Sequence, residues 1–305
     1  PSGFWDWLPT FAEAAGIPAP ARTDGVSLLP GLTGAKPPQG ANPQGPQRDR
    51  GFQYVEYNVD GRTPDYKPFA ANHAKRLRNQ MQAIRFGDLI GVRYDIQSNA
   101  DDFEIYNVEA DPQETQDLGK LPEYAQLQKQ LKAKVLQVRR PNPSAPRPYD
   151  HELVPAVAGV PAIQLPGVNW KRYDGSFPWV PDFEALTPAA SGTSNAPTLP
   201  AGANGVLFSG WIQIPQDGEY TFGLSADTGA LLRIHDATVI DADAGYAAGT
   251  EKTGKIRLQA GMHPYRLFYV HRGEAAPKLE FTWSGPGLDK QTIPASACFS
   301  LVATK

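Results

Sequence analysis

The chain has 305 residues, of which 41% are hydrophobic and 20% charged, and its formal net charge is −3. That composition belongs to a globular chain long enough for two or three domains and excludes a disordered polar segment. The charge leaves no basic footprint for nucleic acid, and no apolar run reaches the ~18 residues that a bilayer-spanning helix needs. The first residues, PSGFWDWLPTF, lack the basic start of a signal peptide. An opening at Pro1, not at Met, suggests a trimmed or excised piece of a longer protein. The single cysteine, Cys298, excludes an intramolecular disulfide and a Cys-rich metal site. Its neighbours Ala297 and Phe299 suggest a buried strand position.

In chain order, Leu8, Phe11, Ala12 and Ala15 recur at helical spacing, and Gly16 and Pro18 end the run. The large apolar side chains Phe4, Trp5, Trp7, Leu8 and Phe11 are too many for a solvated helix, so in a longer protein they should face a core missing here, and in this chain they should pack on the small sheet or on another subunit. Residues 35–50, AKPPQGANPQGPQRDR, read as a linker or mobile loop. Strands are predicted at 52–57, 80–86, 89–94 and 103–108, with Gly87-Asp88 as a hairpin turn. A helix is predicted from about Pro122 to Val138, with Tyr124, Leu127, Leu131, Val135 and Val138 as its apolar stripe. These elements make a small antiparallel sheet with a C-terminal helix, an α+β unit over 51–140. The proline-rich stretch 141–164 reads as a semi-rigid linker and the best domain boundary.

Residues 205–287 read differently. Short runs of Val, Ile, Leu, Phe, Tyr and Trp alternate with polar residues and are broken every eight to twelve residues by Gly, Pro or Asp. This is the pattern of an antiparallel β-barrel or sandwich. Pro215-Gln216-Asp217-Gly218 has hairpin-turn chemistry. The fold class is therefore α+β followed by all-β.

Motifs for chemistry are sparse. The chain contains no G-x-S-x-G, H-E-x-x-H or P-loop. The five histidines, at 73, 151, 235, 263 and 271, lack metal-ligand spacing.

Two family resemblances stand on longer phrases. The run G-W-x-x-x-P-x-x-G-x-Y-x-F at 210–222, S-x-D-x-G-A at 225–230, L-x-A-G-x-H-P at 258–264 and W-S-G-P-G at 283–287 resemble the protective-antigen-type (PA-fourteen) domain. That resemblance implies a β module over 165–303 of a kind found in carbohydrate-active and adhesive proteins. Residues 1–150 resemble the C-terminal part of a type I formylglycine sulfatase. The phrases are FWDWLPTFAEAAGIP at 4–18, DGVSLLP with Gly34 from 24, QAIRFGDLIGVR at 82–93 and EIYNVEADPQETQDL at 104–118. Ile90-Gly91 departs from the family's usual pair there. The resemblance implies that 1–34 is the tail of a sulfatase catalytic domain and 51–140 its small terminal subdomain. The Cys/Ser-x-Pro-x-Arg motif that yields the sulfatase nucleophile is not in the chain. The nucleophile and the calcium-binding carboxylates are expected in an N-terminal sulfatase domain. The chain alone is expected to be inactive, with no catalytic residue and no cofactor of its own.

In relatives of the β module, a pair of adjacent aspartates binds calcium and sugar. The corresponding pair here is Ala226-Asp227, so Asp227 is left as a weak candidate metal ligand whose alternative role is to cap the Thr228-Gly229 turn. Asp236, Asp241 and Asp243 form a second acidic group. His271, Arg272 and Glu274 lie on an inter-strand loop able to form a sugar-binding rim, and Trp179 can stack on a sugar or staple its loop to the β domain. In the first half, Tyr57, Asn58, His73 and Arg78 are candidate substrate contacts on a loop. The function expected is the C-terminal fragment of a secreted or periplasmic modular sulfatase carrying a carbohydrate-binding-like module. Its partners would be a sulfated or neutral polysaccharide and the N-terminal sulfatase domain, with no nucleic acid and no membrane span. The alternatives are a non-enzymatic carbohydrate-binding or adhesion module and a purely structural β domain.

Overall fold

The computed structural model describes residues 2–34, 53–67, 73–160, 164–274 and 276–301. The linker expected at 35–50 lies outside the described residues. The chain divides into two compact units. Described residues 53–152 belong to the first, and 4–34 together with 153–301 belong to the second.

The N-terminal segment enters through a 3-10 turn at Phe4–Asp6 and α1 (Trp7–Ala14), and α2 (Leu29–Thr33) follows. The helix buries its small and polar residues, not its large ones. Asp6, Thr10 and Ala12 are buried, whereas Phe4 is 88% exposed and Phe11 63% exposed. The reason is local. Asp6 Oδ1 accepts from the Val26 amide at 2.9 Å, and Thr10 Oγ1 accepts from the Leu28 amide at 2.9 Å. These bonds pin the helix by its polar face to residues 26–28. Leu8 and Phe11, expected to face the core of a larger domain, are exposed in this chain.

The first unit is a four-stranded antiparallel sheet in the order β1 (Gln53–Tyr57), β2 (Met81–Phe86), β3 (Leu89–Arg93), β4 (Glu104–Asn107). Gly87 makes the β2–β3 turn at φ 54°, a conformation costly for residues with a Cβ. Helix α3 (Ala125–Val138) covers one face of the sheet. Leu131 and Val135 are fully buried against Ile84, Phe103 and Ile105, while Tyr124 and Leu127 are partly buried. One buried residue of this helix is polar. Gln128 accepts from the Phe103 amide at 2.9 Å and donates to its carbonyl at 2.5 Å, completing the backbone of the strand's approach.

Much of the stretch expected as a linker is folded onto this unit. Arg139 donates to both oxygens of Glu56 at 3.1 Å and meets Asp150 at 2.7 Å. Arg147 meets Glu56 at 3.1 Å, and Tyr149 is buried beneath the Arg139 guanidinium at 4.6 Å. The changeover to the second unit falls between Glu152 and Leu153.

The second unit is a sandwich of two antiparallel sheets. Its remaining strands are β5 (Gln164–Pro166), β6 (Val168–Tyr173), β7 (Ala190–Ser194), β8 (Gly205–Ile214), β9 (Gly218–Ala226), β10 (Gly229–Ile234), β11 (Ala237–Ala242), β12 (Glu251–Leu258), β13 (Gly261–Val270), β14 (Leu279–Gly285), β15 (Leu288–Thr292) and β16 (Cys298–Leu301). One sheet runs β11-β10-β13-β8-β16-β5, with β6 and β7 branching from β8; the other runs β12-β9-β14-β15. The two alternatives, barrel and sandwich, resolve to the sandwich: no closed barrel forms among the described residues.

Alternation along the strands builds two cores. Leu232, Tyr265, Leu267 and Tyr269 face the inter-sheet core with Phe222, Phe281 and Trp283. Leu231, Phe268 and Val270 face outward, under a second layer of Tyr173, Phe177, Val180, Phe183 and Ala21. Both faces of β10 are therefore covered, which is why all six of its residues are buried. Cys298 sits at 0% exposure, where burial pushes its thiol pKa up. Trp211 is half-buried.

A buried histidine pair closes one end of this sandwich. His235 Nε2 and His263 Nδ1 lie 2.8 Å apart, and His263 Nε2 lies 2.9 Å from the Gln259 carbonyl. Burial pushes the His263 pKa down against the smaller upward pull of the Gln259 bond. The unfolded chain, with an imidazole pKa of about 6.5, then takes up the proton first. The stabilisation is complete above that pH and declines as the pH falls below it. Melting of the sandwich followed by tryptophan fluorescence should show Tm dropping from pH 7.5 to 5, with a flatter profile in His263→Gln. An unchanged slope in the variant would remove His263 as the cause.

Candidate functional site

The register of β10 against β13 pairs Gly229 with Val270. It therefore places Asp227 and Thr228, just before β10, beside His271 and Arg272, just after β13. Asp227 is the hub of this corner. Its Oδ1 accepts from the Tyr269 hydroxyl and from the Lys278 amide at 2.9 Å. Its Oδ2 accepts from Thr228 Oγ1 at 3.0 Å and lies 2.5 Å from His271 Nδ1. Burial alone would raise the Asp227 pKa, but these hydrogen bonds outweigh it and hold the carboxyl below its ordinary range. Both oxygens are occupied by protein donors. In this arrangement Asp227 orients His271 and leaves no open position toward a cation.

Arg272 ties three segments together. Its Nη2 meets Asp243 at 2.8 Å, its Nη1 donates to the Pro178 carbonyl, and its amide donates to Thr228 Oγ1 at 2.9 Å. Asp243 Oδ2 also accepts from the Val180 amide at 2.8 Å. The loop at 175–178 is thereby clamped over the strand ends. Together with Asn204 and residues 271–273 it encloses a cleft of about 350 Å³.

The remaining predicted residues separate. Trp179 is half-buried, and its indole Nε1 donates to the Pro18 carbonyl at 3.0 Å, so the ring docks on the N-terminal segment. Glu274 is exposed beside the cleft. The three aspartates of the second acidic group each have their own cation: Asp236 meets Arg266 at 3.1 Å, Asp241 meets Arg22 at 3.6 Å and Asp243 meets Arg272. Among the described residues no group of three or more His, Cys, Asp or Glu is placed to hold a metal ion.

In the first unit, Arg78 lies 5.9 Å from the Tyr57 ring, and Asn58 Oδ1 accepts weakly from the Gln80 amide at 3.4 Å. His73 sits apart from them. Its Nε2 is 2.7 Å from the Glu114 carbonyl and its ring lies edge-on to Tyr106 at 5.6 Å. Sequence reasoning missed Ser176 and Asn204. Neither stands in a motif, and only the folding of three separate segments into one corner marks them.

A family model described as PA14 domain matches residues 166–297. Residues 166–297 are a PA14 domain. No curated protein matches the chain. Among solved structures, an anti-sigma factor domain-containing protein from Clostridium clariflavum is 26% identical over 45% of this chain and 48% of its own, with a TM-score of 0.36. The chain thus spans about half the length of that relative. A PA14 sugar-binding domain from an RTX adhesin is 18% identical over 46% of this chain and 100% of its own, with a TM-score of 0.37. A protein solved in complex with its substrate D-glucosamine-2-N,6-O-disulfate is 26% identical over 43% of this chain and 23% of its own, with a TM-score of 0.27. Outside the matched span, Ala21 and its neighbours pack on the outer face of the large sheet of the second unit.

Proposed function

We propose that the PA14 domain is a carbohydrate-binding module, and that the chain is the C-terminal part of a sulfatase-type enzyme to which that module is appended. The observation that carries the first statement is the PA14 match over the two-sheet sandwich. Its corner at Asp227, His271 and Arg272 is the binding rim, with Glu274 at its edge and Trp179 holding the adjoining loop. The second statement is supported by the sulfatase-like phrases and by the small sheet covered by one helix. The exposed apolar face of α1 fits it too: the catalytic domain would cover Phe4, Leu8 and Phe11, each burial contributing roughly 1.5–3 kcal/mol. In that enzyme Tyr57, Asn58, His73 and Arg78 belong to the substrate side, and calcium and the nucleophile belong to the catalytic domain. Tethering raises the effective concentration of enzyme on a polymeric, extracytoplasmic substrate without any added contact at the cleft.

The full chain should bind a subset of sulfated or neutral glycans on an array and should not turn over a chromogenic aryl sulfate in the presence of calcium. An array with no bound glycan would remove the binding reading. Turnover at ordinary enzyme rates would remove the assignment of the chemistry to another domain. The gene sequence tests the sulfatase reading: a Cys/Ser-x-Pro-x-Arg motif encoded upstream supports it, and a start codon directly before Pro1 sinks it.

A further inference from the structure

We propose that the cleft beside β13 binds the sulfate group of an anionic glycan, directly through His271 and without a metal ion. This rests on the reading of the PA14 domain as a sugar-binding module and names the class of sugar. The acids behind the cleft are turned inward: Asp227 receives four hydrogen bonds, and Asp243 receives Arg272 and the Val180 amide. No carboxylate lines the cleft itself. The side chains that do line it with open polar atoms are Ser176 and Asn204, which have no side-chain partner among the described residues, and His271, whose Nδ1 alone is engaged, by Asp227. His271 Nδ1 is fixed on Asp227, so the ring cannot turn and its Nε2 edge is the one left for a ligand. When the imidazole is protonated, Nε2–H, the Ser176 hydroxyl and the Asn204 amide form a set of donors. An oxyanion supplies acceptors for all of them and needs no acceptor in return. Arg272 adds a fixed positive charge in the wall, compensated by Asp243. Flanking charges are Glu274, exposed at the rim, and Asp174, which meets Arg172 at 3.4 Å. The role of Asp227 is positioning, because it acts on the ligand only through His271.

The test uses the full chain, a sulfated glycosaminoglycan oligosaccharide and its desulfated counterpart, titrated with and without EDTA. The sulfated sugar should bind about tenfold more tightly, with EDTA making no difference and inorganic sulfate competing. Asn204→Ala and His271→Ala should each weaken it, the latter about tenfold. Glu274→Gln should tighten it, since removing a negative charge at the rim favours an anion. Asn204 is exposed, so that variant keeps its fold even if His271→Ala does not. Equal binding of the two sugars overturns this inference and leaves the sugar-binding reading standing. Loss of binding in EDTA overturns the metal-free site, and tighter binding lost in Glu274→Gln assigns the rim to hydroxyl recognition instead. Binding of neither sugar and of no other glycan defeats the sugar-binding reading itself.

Discussion

Replacing Glu56 with alanine is expected to cost the first unit about 3–5 kcal/mol, because two arginines lose their shared counter-charge in a largely dry site. The Arg139 side chain is 4% exposed and that of Glu56 16%. Arg139, Arg147, the Tyr149 hydroxyl and the Tyr54 hydroxyl all converge on this one carboxylate. Burial raises the Glu56 pKa, but the hydrogen bonds and charge of Arg139, with Tyr54 and Arg147, bring it below the ordinary value. Its folded pKa is therefore depressed relative to an unfolded value of about 4.3. Its stabilisation is present above that pH and lost as the pH falls through the lower folded value. Urea denaturation of the wild type and of Glu56→Ala at pH 7 and at pH 3 measures both effects. The gap between the two proteins should narrow at acid pH. A cost below about 1 kcal/mol at pH 7 would place the pair among solvent-screened surface ion pairs.

Phe183→Ala is expected to cost the second unit about 3–5 kcal/mol. Phe183 is fully buried and central to the outer layer: its ring stacks on Tyr173 at 4.5 Å, meets Phe177 edge-on at 5.5 Å and lies over Phe268 at 6.4 Å. No neighbour is large and free enough to refill the space. The cost should be local as well as global, because the same layer carries the loop 175–178 that walls the cleft. Hydrogen exchange should show the amides of Val180 and Asp182 losing protection before those of β13. Uniform loss of protection across the sandwich would mean that the layer and the sheet unfold as one.

The strands and α3 were legible because their faces are one-sided. A half-buried strand alternates and an amphipathic helix repeats, and both patterns survive in Met81–Phe86, Leu89–Arg93 and Leu131–Val135. The polar fastening of α1 was not legible. Its large apolar residues imply a buried face, yet Asp6 and Thr10 make the contacts to residues 26–28, and nothing in the spacing marks a side chain that accepts from an amide about twenty positions away. The stretch 141–152 misled for a related reason. Prolines announce an extended backbone, but Arg139, Arg147 and Tyr149 dock it through one glutamate on β1. Asp227, His271 and Arg272 were each visible as candidates. Their union was not, because it follows from the β10–β13 register, which joins positions 44 apart. Ser176 and Asn204 carried no signal at all, being ordinary polar loop residues until the loops meet.

The cover over the outer sheet has a consequence for anyone transplanting this module. Ala21 donates its amide to the Val180 carbonyl at 2.8 Å, the Asp182 amide donates to the Ala19 carbonyl at 2.7 Å, and Arg233 donates to the Ala21 and Thr23 carbonyls. A gene fusion cut at residue 164 carries the strands but leaves these donors and acceptors behind. Arg233, 4% exposed in the intact chain, would then open to solvent beside Leu231. The heritable cassette is accordingly discontinuous: a graft that works must bring residues 18–24 with it, or supply another peptide to close the same face.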